Sequence, residues 1–225
     1  PGDTAAAPAG ESTTLTFNAR QGVPFIPVQL GNESFVVLVD SGSDGSLSLN
    51  PAGLHPRFLH GPRPGSVVSN LASDRPQSIG RLAHDLLIGT HTVARPIVSL
   101  TDHVSTLGGE LLRHFTLTFD QQRRTVTFTR TLEGAVVMEP RRGTGLSLAR
   151  SPVYWRVLDV VPDTPARELG VQAGELIVRV NGEPVARWDF ERFAALLARS
   201  AKVTFTFLIG TREFDRDIPV ANLVP

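Results

Sequence analysis

Between Thr13 and about Thr131 the chain is a succession of short apolar or alternating runs, each cut off by Gly, Pro, Asn or Asp. Runs this short suit strands paired through tight turns and leave little room for long helices. Leu15-Thr16-Phe17, Phe25 to Leu30, Phe35 to Val39 and Leu47 to Leu49 form the first set, with Gly31-Asn32 as a two-residue hairpin turn. Pro51 to Ser66, rich in Pro and Gly, reads as a loop. Arg81 to Ile88 and Thr92 to Leu100 read as strands joined at Gly89-Thr90. A short helix is expected over Glu110 to His114, then strands over Phe115 to Phe119 and Thr125 to Thr129 around a turn at Asp120 to Arg124.

A second pattern begins beyond Glu139 to Gly143, which reads as a connector. Strands are expected over Leu146 to Ala149, Tyr154 to Val161, Leu176 to Val180, Lys202 to Ile209 and Glu213 to Ile218. A short helix falls around Ala166 to Leu169, and a clearer one over Asp189 to Ala198. The latter has Phe190, Phe193, Leu196 and Leu197 on one face and Asp189 as N-cap. The fold class is therefore mostly β with short helices. The expected division is a flexible tail over 1–12, a β lobe over 13–135 and a second domain over 136–225.

Charge narrows the partners. The 22 basic and 22 acidic residues cancel, so the whole chain has no footprint for nucleic acid or an anionic membrane. No apolar stretch reaches the ~18 residues a membrane-spanning helix requires, so no membrane span is expected. The chain has no Cys, which excludes disulfides, thiolate metal sites and a cysteine nucleophile. His55, His60, His84, His91, His103 and His114 lack metal-ligand spacing, and neither a metal nor a cofactor is expected.

The chemistry concentrates at Phe35-Val-Val-Leu-Val-Asp-Ser-Gly-Ser43, where five apolar residues end in a carboxylate. A charge at the mouth of an apolar run is costly unless paired, neutralised or used. Gly42 permits a tight turn, and Ser41 and Ser43 offer hydroxyls. The plain alternative is a strand ending in an Asx-type turn. Asp40 to Gly45 also superficially matches a calcium loop, but Gly42 and Pro51 stand where ligands are required. Ser41 and Ser43 lack the preceding Gly of a nucleophile elbow.

A second segment bears on Asp40: Thr106-Leu107-Gly108, then Gly109 to Phe115, the strand Thr116-Leu-Thr-Phe-Asp120 and Thr125 to Phe128. Together with Asp40-Ser41-Gly42 it resembles the lobes of aspartic peptidases, in which an Asp-Thr/Ser-Gly loop is backed by an apolar-apolar-Gly element. Thr106 is less apolar than usual there. The lobe is more similar to a retropepsin unit than to a full pepsin lobe. The resemblance implies Asp40 as the catalytic carboxylate, Ser41 as a hydroxyl bracing two loops, Gly42 as the turn residue and Ser43 as a second donor to Asp40. It also implies an aspartic endopeptidase that acts on proteins or peptides. The second Asp-Ser/Thr-Gly lobe it needs would come from a homodimer or an upstream lobe. Asp44 and the expected flap over Ser66 to Ile79, without glycines at its tip or a tyrosine, depart from the family pattern.

From about residue 143 onward the chain resembles a PDZ domain. The resemblance rests on Gly145-Leu146-Ser147-Leu148, on Val160 to Ala166 with Leu169-Gly170, and on Ala173-Gly-Glu-Leu-Ile177 with Val180-Asn-Gly182. It implies an α/β domain whose loop at Gly145 holds a peptide carboxylate, with an added strand beside Leu146 to Ala149. Ser147 and Phe193 are the expected selectivity positions. The pairing of the two resemblances is similar to bacterial aspartyl peptidases with a C-terminal PDZ domain. It implies export, to the periplasm or beyond. The alternative is a non-catalytic peptide-binding scaffold.

Overall fold

The computed structural model describes residues 10–18, 23–43, 45–70 and 73–225. Its first strands are β1 (Glu11–Thr16), β2 (Phe25–Leu30), β3 (Glu33–Val39) and β4 (Leu47–Leu49), followed by β5 (Phe58–Asn70) and β6 (Ser73–Leu82). Next come β7 (Leu86–Ile88), β8 (His91–Ala94), β9 (Ile97–Leu100), β10 (Thr106–Leu107) and helix α1 (Gly109–Leu112). β11 (Thr116–Asp120), β12 (Thr125–Arg130) and β13 (Val136–Val137) complete the first series. Residues 1–9 of the expected tail lie outside the described residues, while Glu11 and Ser12 belong to β1.

Alternation builds the core of this series. Ile26, Val28 and Leu30 on β2 are buried, whereas Pro27 and Gln29 are exposed. Val37 and Val39 on β3, Leu47 and Leu49 on β4 and Leu107 on β10 join them in one apolar cluster. The principal sheet runs β13-β8-β7-β2-β3-β10-β4-β9-β6-β5, and a smaller one runs β1-β12-β11. β10 lies parallel to β3 (Leu107 opposite Val39) and antiparallel to β4 (Leu107 opposite Leu47). The loop from β3 to β4 therefore has to cross the end of β10.

Three expectations change here. Pro51 to Ser66 is not wholly loop, because Phe58 onward forms β5. β5 ends its sheet, and an edge strand tolerates Pro62 and Pro64 because a proline facing outward loses no ladder bond. Thr92 to Leu100 is two strands instead of one, broken where Arg95 takes φ 40° before Pro96. Similarly, Arg81 to Ile88 is divided between β6 and β7.

The second series comprises β14 (Arg141–Gly143), β15 (Leu146–Arg150), β16 (Trp155–Val160), α2 (Pro165–Glu168), β17 (Leu176–Val180) and β18 (Glu183–Pro184). A single 3-10 turn (Val185–Arg187) leads into α3 (Phe190–Arg199), then β19 (Lys202–Ile209), β20 (Arg212–Pro219) and β21 (Ala221–Val224). The sheet order is β15-β16-β17-β19-β20, and β14 pairs separately with β21. The expected connector thus contains a paired strand. Trp155, Phe193, Phe205 and Phe207 form an edge-to-face aromatic chain in this core. Asp189 caps α3, its carboxylate accepting the Arg192 N–H at 2.7 Å.

By backbone contacts the chain divides into two compact units. One lies within Pro1–Gly61 and Gly80–Met138, the other within Pro62–Ile79 and Glu139–Pro225. The outer part of the β5–β6 hairpin, where the flap was expected, groups with the second unit. Leu71 and Ala72 lie outside the described residues.

Candidate functional sites

The apolar side chains of β3 stop at Val39, and Asp40 begins the crossing over β10. Its backbone N–H donates to the Leu107 carbonyl at 3.0 Å, extending the β3–β10 ladder by one bond. The Gly42 N–H donates to Asp40 Oδ1 at 2.9 Å, so the Asx turn is present. Among the described residues this is the only donor to that carboxylate. Ser43 reaches Asp40 through its backbone, donating its N–H to the Asp40 carbonyl at 3.3 Å. Asp40 and Ser43 are partly buried, while Ser41 and Gly42 are exposed. Asp44 lies outside the described residues.

The start of α1 clamps the loop from below. Gly108, Gly109 and Glu110 donate their N–H groups to the carbonyls of Ser46 (2.8 Å), Ser43 (2.7 Å) and Gly45 (3.1 Å). Backbone approaches so closely here that a Cβ on Gly108 would sit 2.2 Å from the Gly45 oxygen. This explains the glycine after Thr106-Leu107: any side chain would push the Asp40 loop off the helix. Ser41, next to Asp40 in the chain, is exposed. A hollow of about 360 Å³ lined by Phe25, Phe35, Val36, Leu54 and Val104 lies toward the start of β3 and does not include Asp40. Among the described residues no group of three or more His, Cys, Asp or Glu side chains is arranged to hold a metal ion.

The second candidate site is the edge of β15. Gly145 takes φ +87°, and a Cβ there would lie 2.1 Å from Thr164 Oγ1. The loop is anchored by its carbonyls, with Thr144 accepting from the Ala166 N–H (3.2 Å) and Gly145 from the Val161 N–H (2.8 Å). At the other end of the strand the Ser151 N–H donates to the Tyr154 carbonyl at 3.0 Å. Odd-numbered residues of β15 thus point their backbone groups at β16. Alternation turns those of Leu146, Leu148 and Arg150 toward the other edge, where no described strand pairs.

Side chains are arranged less simply than expected. Leu146 and Leu148 pack partly against the core. Ser147 is only 2% exposed, and Phe193 is 6% exposed within the aromatic chain. Phe193 is therefore a core residue first, and its solvent side is covered by Arg150, whose guanidinium carbon lies 5.3 Å from the Phe193 ring centre and 4.9 Å from that of Trp155. Helix periodicity puts Phe193 on the apolar face of α3, which packs into the core, and gives no sign of this cover. The signal for it was Arg150 itself, two residues after Leu148 on a strand of alternating apolar residues. Burial pulls the Arg150 pKa below its ordinary value, opposed by the nearby Asp189 carboxylate.

Comparison with known proteins adds to this geometry. Residues 156–209 match the family model of the PDZ domain, and no curated protein matches the chain. Among solved structures, the chain is similar to a retropepsin-like aspartic protease from Rickettsia conorii. Identity is 16% over 53% of this chain and 91% of that one, with a TM-score of 0.40. It is also similar to the HtrA3 PDZ domain bound to a phage-derived ligand, at 22% identity over 37% of this chain and 88% of that one, TM-score 0.32. A third is an HtrA-type protease with a decapeptide, at 11% identity over 95% of this chain and 79% of that one, TM-score 0.36.

Proposed function

We propose that the first unit is one half of an aspartic endopeptidase and that the second docks extended peptides at β15. The observation that carries the reading is the Asp40 loop. A partly buried carboxylate at a strand end, with one oxygen held by Gly42, is clamped from below by three backbone bonds from the start of α1.

Peptide hydrolysis by water needs two carboxyls. The ionised one takes a proton from water as the oxygen attacks the scissile carbonyl carbon. The protonated one polarises the carbonyl oxygen, and the C–N bond then breaks with a proton delivered to the leaving amine. Two carboxyls about 3 Å apart cannot both ionise, so they share one proton. The sequence holds one Asp-Ser-Gly, so the partner comes from a second copy or another lobe. Asp40 supplies the carboxylate, Gly42 orients it, Ser41 braces the junction of the two loops, and Ser43 fastens the loop to α1. At β15, Gly145, Leu146, Ser147 and Leu148 form the carboxylate-holding end of a strand-addition site. A location outside the cytoplasm belongs to the same reading and is tested by cell fractionation. No helix among the described residues is long and apolar enough to cross a membrane.

The test is cleavage of a denatured protein at acidic and neutral pH, with and without pepstatin, alongside Asp40→Asn. Asn keeps the oxygen that accepts from Gly42, so folding is preserved. The activity is expected to fall by about a thousandfold or more. Activity that survives the substitution overturns the assignment. Activity confined to a species of twice the chain mass identifies a homodimer. A second reading, favoured by the open β15 edge in the unit matching the PDZ model, is a non-catalytic peptide-binding scaffold. It predicts inert protein that still binds peptides.

A further inference from the structure

Arg130 is the only Arg, Lys, Asp or Glu that is buried among the described residues, at 8% exposed. It ends β12 and shares a strand face with Val126 and Phe128 of the core. Its Nη1 donates to the Gly134 carbonyl, while Nε is buried without a hydrogen-bond partner. Among the described residues no carboxylate pairs with it. Glu11 stands opposite on β1, yet it is exposed and forms no ion pair with Arg130. A guanidinium withdrawn from water with only a carbonyl to meet it is costly, and an orphaned buried donor is where an ion is to be looked for.

Other cations gather at this end of the sheet. Antiparallel pairing sets Thr116 of β11 against Thr129, which brings the turn from α1 into β11 beside Arg130. That turn is Arg113-His114-Phe115, with Arg113 exposed and His114 partly buried. His114 feels both guanidinium charges: burial first, then Arg113 and Arg130, lower its pKa, and Glu110 opposes them. Two fixed cations and a ring that can become a third thus face one carboxylate, a balance that favours a doubly charged anion. The Nε–Nη2 edge of a guanidinium is a planar fork matched to two oxygens of such an anion. We infer that Arg130, Arg113 and His114 form a site for a divalent tetrahedral oxyanion, either free phosphate or a phosphoryl group on a larger molecule. Two of its oxygens meet the Arg130 fork, a third faces Arg113, and its charge lets His114 take up a proton. The site lies within the first unit, at the end of α1 away from the Asp40 loop. It is independent of both the peptidase and the peptide-docking readings.

The experiment is an NMR titration of the full chain with sodium phosphate, sodium chloride being adjusted to hold the ionic strength constant. Saturable shifts of the His114 ring and the Gly134 amide are expected, with a Kd of about 1 mM or below. The His114 pKa should rise at saturation, and sulfate should compete. Phenyl phosphate that binds as tightly as phosphate identifies a phosphoryl group on a larger molecule as a ligand. Phosphate that binds at least about tenfold more tightly identifies the free ion. Arg113→Gln, at an exposed position, should weaken binding about 3–10-fold, and Arg130→Met about tenfold or more. Arg123→Gln, on the β11–β12 turn, should leave it within about twofold. If Arg130→Met folds poorly, Arg113→Gln and the wild-type shifts decide. Shifts that never saturate, that chloride reproduces, or that Arg113→Gln leaves unchanged overturn the site. If phosphate leaves His114 and Gly134 untouched, Glu11 neutralises Arg130 in solution and the inference falls.

Discussion

The two loops that carry the candidate chemistry are built on opposite polarities. At Asp40 the loop's carbonyls accept N–H groups from α1, and what faces outward is an acid. At Gly145 the loop's carbonyls are likewise spent inward, on Val161 and Ala166, but what the edge presents is the backbone of Leu146, Leu148 and Arg150. The first loop holds a negative group in place. The second presents backbone groups on an edge of β15 that no described strand pairs. Both depend on a glycine where backbone meets its neighbour too closely for a Cβ, yet for different reasons. Gly108 is limited by space alone, Gly145 by space and a left-handed φ. One scaffold problem, a sharp loop pinned to a neighbour, thus serves two chemistries.

The largest expected effect follows from that contrast. Gly145→Ala meets Thr164 at 2.1 Å and strains φ, and should cost its unit about 3 kcal/mol or more. Gly108→Ala meets the Gly45 carbonyl at 2.2 Å and the Ser43 oxygen at 3.0 Å but has no left-handed φ to strain, and should cost about 2–3 kcal/mol. Denaturant unfolding read by hydrogen exchange in each unit checks both. If Gly108→Ala proves harmless, the loop is not pinned as described, and the preorganisation of Asp40 is lost as an argument.

A smaller effect probes the helices beside the loops. α1 has four residues and Gly108 as its N-cap, with no side-chain cap, so backbone bonds to the loop hold its start. α3 is capped by the Asp189 carboxylate. Asp189→Ala should cost about 1 kcal/mol and fray the start of α3. Equal protection from exchange at the first α3 amides in both proteins would refute the cap's contribution. Asp189→Asn should retain most of it.

Much of this was legible in the sequence because it is local. Alternation with turn residues gave β2, β4, β17 and β19 to the residue, and the Asp189 signal with apolar spacing gave α3. The Asx turn at Asp40 follows from an acid two residues before glycine. What was not legible depends on partners far along the chain. β5 looks like loop because Pro62 and Pro64 are harmless only on an edge, and edges are set by the whole sheet. The pairing of β14 with β21 joins Gly143 to Ala221, which no local pattern announces. Phe193 was placed on a helix face correctly, but the cation lying over it comes from a different strand.

The smallest expected effect uses pH to separate the units. All six histidines lie in the first unit's sequence and none in the second's, so mild acid should act on one alone. His114, just after α1, has its pKa lowered from 6.5, first by burial and then by the charges of Arg113 and Arg130, with Glu110 opposing. A lowered folded value means the unfolded chain binds more protons. The contribution is therefore intact above the unfolded value of about 6.5 and declines as pH falls through it toward the folded value. The ring is only partly buried, so the loss between pH 8 and pH 5 should be only a few tenths of a kcal/mol. In the second unit Glu183 and Asp217 have lowered values through hydrogen bonds to Arg192 and Lys202, so their contributions persist above the ordinary carboxylate range and fade only below it. Glu33, bonded to His55, behaves the same way in the first unit. Unfolding followed separately in each unit from pH 8 to pH 5 should show a decline in the first, reduced in His114→Gln, and a flat second. A second unit that weakens equally over that range would mean the two do not respond independently, and the contrast between them would need a common energetic origin.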